Sequence, residues 1–150
     1  MIREVTGNKR DYLSLLLLAD EQENMIGQYL DRGTMFVLEK EGQIIGECVI
    51  TDESDGIIEI QNLAIAPAHQ RQGYGRRLVA FVAERYRGKY SILQIGTGDS
   101  PLTVPFYESC GLIVHHVIPN YILEHYDQPI CEGGKQLKDK VYLRMSLTEY

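Results

Sequence analysis

The segment between Gln70 and Arg77 combines glycines with cations in a pattern suited to binding an anion. Its sequence is Gln70-Arg71-Gln72-Gly73-Tyr74-Gly75-Arg76-Arg77, between a strand-like apolar run at 57–66 and a helical pattern that ends near Tyr86. Glycine lets the backbone approach a ligand closely, and the first N–H groups of a helix have no intrahelical partner. With the helix dipole and the arginines, these donors predict a pyrophosphate site.

Two common nucleotide-binding patterns do not fit this segment. No Lys-Ser/Thr pair follows the glycines, as a Walker P-loop requires, and the third glycine of the dinucleotide fingerprint is missing. The turn is therefore expected to hold a different phosphate-containing ligand.

Three motifs in this chain resemble the conserved elements of the GNAT superfamily of acyl-CoA-dependent N-acetyltransferases. The pattern Gln70-x-x-Gly73-x-Gly75 resembles the superfamily signature. The strand that precedes this signature in the family is matched here by Leu63-Ala64-Ile65-Ala66-Pro67. A later F-Y-x-x-x-G-F/L element of the family is matched by Pro105-Phe106-Tyr107-Glu108-Ser109-Cys110-Gly111-Leu112. Together the matches cover residues 34–118 in the order that the family shows.

The resemblance implies an α/β fold with a mixed central sheet of about seven strands, flanked by helices and splayed between strands four and five. These strands would be 57–66 and 90–95, and the splay would leave backbone groups of Leu63 and Ile65 free to pair with the pantetheine arm of acetyl-CoA. Ser100 stands where many members have an asparagine that contacts CoA. The residues implied in acetyl-CoA binding are Leu63, Ala64, Ile65, Gln70, Arg71, Gln72, Gly73, Tyr74, Gly75, Arg76 and Ser100.

The implied reaction is transfer of an acetyl group from acetyl-CoA to a primary amine by direct attack in a ternary complex. An alkylamine has a pKa of about 10.4, so it must first lose a proton to a base or to water. Glu59 is the expected base or holds a water relay; alternatively it is a surface strand carboxylate. Tyr107 is expected to protonate the leaving sulfur; alternatively it only packs the short helix against the sheet.

Hydrophobic periodicity predicts the remaining elements of the fold. Strands are predicted at 2–6, 35–39, 44–51, 57–66, 90–95, 112–118 and 141–147. One or two helices are predicted over 11–18 and 21–30, followed by helices at 75–86 and 104–110. The segment 119–140 is predicted to be a long loop, whose aromatic residues and Asp127 would line an acceptor pocket, form a dimer contact or pack on themselves.

Length and composition indicate one globular domain spanning 1–150. The 150 residues are 44% hydrophobic and 24% charged, enough for a sizeable core, and the net charge of −6 argues against nucleic-acid binding. The apolar run 13–19 is too short to span a bilayer and the N-terminus does not read as a signal peptide, so we expect a cytoplasmic protein without a membrane partner.

Cysteine and histidine spacing predicts no structural metal. Cys48, Cys110 and Cys131 are odd in number and widely spaced, which favours reduced thiols. His115 and His116 are adjacent in a strand, so their side chains are expected to face opposite ways.

Two alternative functions stay open: transfer of a longer acyl group, and a non-catalytic CoA-binding sensor. The expected acceptor is a small-molecule or peptide amine. A homodimer is a further alternative to a monomer.

Overall fold

In the computed structural model, which describes residues 1–148, strands and helices alternate along the chain. The strands are β1 (Ile2–Glu4), β2 (Thr34–Lys40), β3 (Gln43–Asp52), β4 (Ile57–Ile65), β5 (Ile92–Gly98), β6 (Ile113–Ile118), β7 (Cys131–Glu132), β8 (Lys135–Gln136) and β9 (Lys140–Ser146). The helices are α1 (Leu13–Ala19), α2 (Glu23–Ile26), α3 (Tyr74–Tyr86), α4 (Thr103–Ser109) and α5 (Tyr121–His125), with 3-10 turns at Lys9–Tyr12 and Pro67–His69.

Seven of the strands form one mixed sheet in the order β1-β2-β3-β4-β5-β9-β6. The pair β4–β5 is parallel, whereas the other neighbours in this sheet are antiparallel. A tight turn joins β2 to β3, and its central residues Glu41 and Gly42 both have positive φ, as a two-residue hairpin favours. The predicted α/β fold with a mixed seven-stranded sheet is confirmed.

The strands β4 and β5 separate after four paired residues. Ile57 to Ile60 pair with Ile92 to Ile95, but beyond that point β4 continues along β3 while β5 continues along β9. The pairing of β3 with β4 shifts at Gln61, which is the extra residue of a β-bulge. A bulge increases local twist and bends its strand, so the gap opens where the bulge lies.

Helices cover both faces of this sheet. The side chains of α3 and α4 pack with Ile58 and Ile60 of β4 on one face, which we call the α3 face. On the other face, the α1 face, Leu16 and Ile26 pack with Val37 and Val49. The helices therefore position their ends around the gap from opposite sides.

The segment 119–140 is more structured than the predicted loop. It contains the five-residue helix α5 and the two-stranded hairpin β7–β8, whose turn residues Gly133 and Gly134 both have positive φ. Asn120, which precedes α5, also has positive φ. Elements this short lack a periodic signal in the sequence. The predicted helix 21–30 is also shorter than expected: only Glu23–Ile26 is α-helical, and the chain continues as turns.

The prediction that His115 and His116 face opposite ways is wrong. Their Nδ1 atoms lie 2.8 Å apart, and the His116 ring stacks on Tyr142 with the ring centroids 4.6 Å apart. The cause is a second β-bulge, because β6 pairs Val114 with Leu143 and His116 with Tyr142, which leaves His115 as the extra residue. A bulge interrupts the alternation of side chains between the two faces.

Glu47 is a carboxylic acid fully buried in the centre of β3. Neither carboxyl oxygen has a hydrogen-bond partner among the described residues. Burial raises the pKa of Glu47 well above its ordinary value of 4.5, and the neighbouring Ala64 N–H lowers the pKa by less. Folding therefore favours the protonated form of this side chain.

We predict that Glu47 makes the protein less stable as pH rises. Above pH 4.5 the unfolded chain releases this proton while the folded chain retains it, so the free energy of unfolding falls by up to about 1.4 kcal/mol per pH unit until the folded pKa is passed. Urea unfolding between about pH 5 and 8 should show a flatter pH dependence in Glu47→Gln than in wild type. The exposed control Glu41→Gln should keep the wild-type slope; equal slopes in all three proteins would contradict the assignment.

Candidate active site

The gap between β4 and β5 opens into a cavity of about 710 Å³. Its wall includes Leu63, Ala64 and Ile65 of β4 and Gly96 to Gly98 of β5. Residues from α1 and from the start of α3 also line it. Because these helices pack on opposite faces of the sheet, the cavity passes through the sheet at the gap. A cavity of this volume lies in the range of small-molecule and cofactor sites.

One end of the cavity is formed by the turn that begins α3. Gly73 precedes the helix with φ of 87°, and the first intrahelical bond runs from the Arg77 N–H to the Gly73 carbonyl, 3.1 Å. The N–H groups of Tyr74, Gly75 and Arg76 therefore precede the helical ladder. A Cβ at Gly73 would meet no atom within 4 Å, so a larger side chain there would project into open space at the mouth of the turn.

The start of α3 is fixed against α4. At Gly75 an added Cβ would approach Phe106 Cζ to 3.0 Å, so any larger residue there would have to displace the Phe106 ring, and the two helices pack closely at this point. The Arg76 guanidinium donates to the Ser109 carbonyl at 2.7 Å and to its hydroxyl at 3.0 Å. Gln70 donates from Nε2 to the Ile65 carbonyl at 2.9 Å, which ties the turn back to β4. The N–H groups at the start of α3 are thus held on rigid elements.

Tyr107 lines the cavity. It lies on α4 and its ring is 4.9 Å from that of Phe106, in an edge-on arrangement. Only 6% of the residue is exposed, and burial raises the pKa of its phenol above the ordinary value of 10.0. Within residues 1–148 its hydroxyl makes no hydrogen bond of its own. A neutral phenol in this setting is a hydrogen-bond donor that no group among the described residues occupies.

Glu59 is buried on the α1 face of β4 and does not line the cavity. Its Oε1 accepts a 2.6 Å hydrogen bond from Gln94 Nε2, and Gln94 Oε1 accepts a 2.7 Å bond from Arg144 Nε. The chain of bonds crosses β4, β5 and β9 at one level of the sheet. Burial raises the pKa of Glu59, while the Gln94 bond and the charge of Lys140 lower it by less.

The cavity end beside α1 contains a polar network. Asp20 accepts hydrogen bonds from the hydroxyls of Tyr29, 3.0 Å, and Tyr126, 2.7 Å. Asn62 donates from Nδ2 to Tyr29 at 3.0 Å and to the Leu16 carbonyl at 3.0 Å. These two bonds orient the amide, and its buried Oδ1 has no partner among the described residues. We call Asp20, Tyr29, Asn62 and Tyr126 the acceptor network.

Burial raises the pKa of Asp20, and the two tyrosine bonds offset part of this effect. Lys140 also lines the cavity and lowers the pKa of both Asp20 and Glu59 through its charge. Its Nζ lies 4.6 Å from the ring centroid of Tyr121 and 5.0 Å from that of Tyr142. The positive charge of Lys140 therefore acts on the acceptor network and on Glu59 at the same time.

Most of the sequence-predicted site residues come together in this cavity. Those that line it are Leu63, Ala64, Ile65, Gln70, Arg71, Gly73, Tyr74, Gly75, Arg76 and Tyr107. Three others do not line it. Gln72 is exposed, and its Nε2 donates to the Ala68 carbonyl at 3.4 Å. Ser100 is buried, and its hydroxyl accepts from the N–H groups that start α4. Glu59 is buried and bonded to Gln94.

Of the four residues of the acceptor network, the sequence indicated only Tyr126, through the interpretation that aromatic residues of 119–140 line an acceptor pocket. Tyr121 and Tyr126 from 119–140 line the cavity as that interpretation suggested, whereas Asp127 does not. Asn62 gave no signal because the bulge at Gln61 decides which way it faces. Asp20 follows α1 directly, and nothing in its local pattern distinguishes it from an exposed carboxylate.

Among residues 1–148, no three His, Cys, Asp or Glu side chains are grouped so that they could hold a metal ion. The cysteines Cys48, Cys110 and Cys131 are unpaired in this part of the chain. None of the helices within the same range is long and apolar enough to cross a membrane.

Comparison with known proteins identifies the class of this fold and site. Residues 31–112 match the model of the acetyltransferase (GNAT) domain. An uncharacterized N-acetyltransferase of Bacillus subtilis, YvbK, is 31% identical over 135 residues, which covers 89% of this chain and 87% of that protein. The fold and the cavity thus define an acetyltransferase.

Solved structures agree with this class. A GNAT acetyltransferase from Elizabethkingia anophelis with acetyl-CoA bound superposes with a TM-score of 0.92 at 32% identity, over 97% of each chain. A Bacillus subtilis acetyltransferase in complex with CoA gives a TM-score of 0.89 at 28% identity, again over 97% of each chain. The chain belongs to the GNAT acetyltransferase family.

Proposed function

We propose that this protein transfers the acetyl group of acetyl-CoA to a primary amine by direct attack, with both substrates bound in the same cavity. The observation that supports this most is the continuity of the cavity. It joins the start of α3, a buried tyrosine whose hydroxyl has no hydrogen-bond partner among residues 1–148, and an oxygen-rich network beside α1. Each part matches one requirement of acetyl transfer.

The turn at Gly73 fits the pyrophosphate of CoA. Three N–H groups at the start of α3 are free of intrahelical bonds, Arg71 adds positive charge beside them, and Gly73 leaves open space above them. The pantetheine arm would enter the gap where Leu63 has no partner on the β5 side among the described residues. The Ile65 carbonyl is already bonded by Gln70, so Leu63 provides the main backbone contact.

Acetyl-CoA supplies a thioester whose carbonyl carbon forms the new bond to the amine nitrogen as the bond to sulfur breaks. Tyr107 donates its phenolic proton to the departing sulfur. Its raised pKa keeps the proton in place until that moment, and its unpaired hydroxyl costs no protein hydrogen bond when it turns toward the ligand.

The acceptor network binds the amine. Asp20 offers a carboxylate to an ammonium group, and Asn62 offers a buried Oδ1 that needs a hydrogen-bond donor. Amines supply donors of this kind. The aromatic residues Tyr29 and Tyr126 add apolar surface for the carbon chain and hold the carboxylate in place.

Glu59 accepts the proton that the amine loses, through water. Its carboxylate lies on the same face of β4 as Asn62, and burial raises its pKa toward the pH at which a base works best. Because Glu59 does not line the cavity, a water molecule must connect it to the amine. Its bond to Gln94 fixes one carboxylate oxygen and leaves the other for this relay.

Acetyl-CoA affinity should depend on the open space at Gly73. In Gly73→Glu the new carboxylate would lie at the anion site, and calorimetry should show binding weakened by at least about tenfold, which corresponds to ~1.4 kcal/mol. Gly88→Glu is a matched control, since Gly88 also has positive φ and open space but lies at the far end of α3. Equal loss in both variants, or tight binding by Gly73→Glu, would contradict the cofactor site.

Removal of the Tyr107 hydroxyl should slow turnover without weakening acetyl-CoA binding. We expect Tyr107→Phe to lower kcat by about 100-fold or more, because loss of a positioned general acid has an effect of this size. Tyr90→Phe removes a surface hydroxyl that bonds Asp52 and serves as the control, with unchanged kcat. Steady-state rates with an amine panel give kcat for both variants. A fully active Tyr107→Phe would exclude the acid role.

Substitution of Asp20 and substitution of Glu59 should change different steady-state constants. Asp20→Asn should raise KM for the amine by about tenfold with little change in kcat, since it removes charge from the binding end. Glu59→Gln should lower kcat, and the loss should shrink as pH approaches the amine pKa of about 10.4, where the substrate needs no base. Asp31→Asn, an exposed carboxylate paired with Arg10, should change neither constant. A pH-independent loss in Glu59→Gln would argue for a structural role.

A further inference from the structure

The strand β6 exposes more apolar surface than any other strand in the described residues. All six residues of Ile113–Ile118 are exposed, and Ile113, Val114, Val117 and Ile118 are 74%, 42%, 46% and 39% exposed. These are four of the eight large apolar side chains that residues 1–148 expose. Apolar surface concentrated in this way marks an interaction site.

The strand also has a free edge. β6 is the last strand of the sheet and pairs with β9 on one side, while no described strand pairs with its other side. Natural proteins protect such edges with lysine, proline or inward-pointing charge, and Ile113-Val114-His115-His116-Val117-Ile118 contains none of these. Its unpaired backbone groups are available to a further strand.

The sequence of β6 reads the same in both directions: Ile-Val-His-His-Val-Ile. Antiparallel pairing of two copies about its centre would place Ile113 opposite Ile118 and Val114 opposite Val117. A two-fold axis that continues a sheet keeps each face on the same side, so paired residues must come from the same face. In a regular strand this register fails, because residues five or three apart face opposite ways.

The bulge at His115 removes this conflict. Val114 and Val117 pair with Leu143 and Val141, two core residues, so both valines lie on the α3 face. Ile113 and Ile118 pair with Arg144 and Lys140 and therefore both lie on the α1 face. The extra residue thus brings each palindromic pair onto a common face.

We propose that β6 is a homodimer interface, in which two copies pair antiparallel through Ile113–Ile118 and join their sheets into one. The occupant of the edge is a second copy of this chain, because its strand carries the same palindrome and the same bulge and therefore matches the apolar residues on both faces at once. His115 and His116 of each copy meet their counterparts at the two-fold axis.

The oligomeric state tests this interface. Sedimentation equilibrium of wild type should give twice the monomer mass, and Val117→Lys should raise the dimer dissociation constant by at least about tenfold, since lysine on an edge opposes pairing. Leu123→Lys is the matched control, because Leu123 is 47% exposed but lies on α5. The control should remain dimeric. Unchanged circular dichroism and acetyl-CoA binding would show that Val117→Lys is folded.

Cross-linking tests the register. With Cys48, Cys110 and Cys131 replaced by serine, co-expressed Val114→Cys and Val117→Cys chains carrying different tags should form a heterodimer with a short bifunctional maleimide, whereas each chain alone should cross-link poorly. A monomeric wild type would overturn the proposal. So would a dimer that Leu123→Lys disrupts and Val117→Lys does not, or a cross-link between two copies of Val114→Cys that is stronger than the mixed one.

Discussion

The site depends on a single constraint, which is that β4 and β5 cannot remain paired beyond Ile60 and Ile95. Parallel strands in the interior of a sheet normally continue side by side, but the bulge at Gln61 bends β4 while β5 stays with β9. The divergence opens the sheet between its two helical layers. Without it, the anion-binding turn at α3 and the acceptor network at α1 would lie on opposite faces of a closed sheet.

The same bulge determines which side chains the cavity receives. Ile58 and Ile60 face α3, so in a regular strand Asn62 would face α3 as well. The extra residue turns Asn62 to the α1 face, where its amide bonds Leu16 and Tyr29 and keeps Oδ1 unpaired. A buried acceptor without a partner destabilises a protein by roughly 1–3 kcal/mol. Retention of such a group beside a cavity is explained when a ligand donates to it.

The sequence predicted the parts of the molecule that depend on local chemistry. The Gln70–Gly75 turn, the strand at Leu63 and the helix containing Tyr107 all follow from spacing and side-chain type, and the structure brings them to one cavity. What local pattern could not predict depends on β-bulges and on contacts between distant segments. Asp20 and Tyr126 meet across 106 positions of the chain, and no short-range period records that contact.

Both bulges have the same physical effect in different places: each interrupts the alternation of side chains, which made the predicted facing of His115 and His116 wrong and left the facing of Asn62 outside what the sequence pattern could predict. At Gln61 the extra residue moves a polar side chain to the face where a substrate can reach it. At His115 it moves an apolar pair onto one face of an open edge. One inserted residue in a strand reverses every side chain beyond it, so a single position changes a whole surface without altering the core that precedes it. The chemistry of the cavity and the shape of the sheet edge therefore depend on backbone register as well as on side-chain identity.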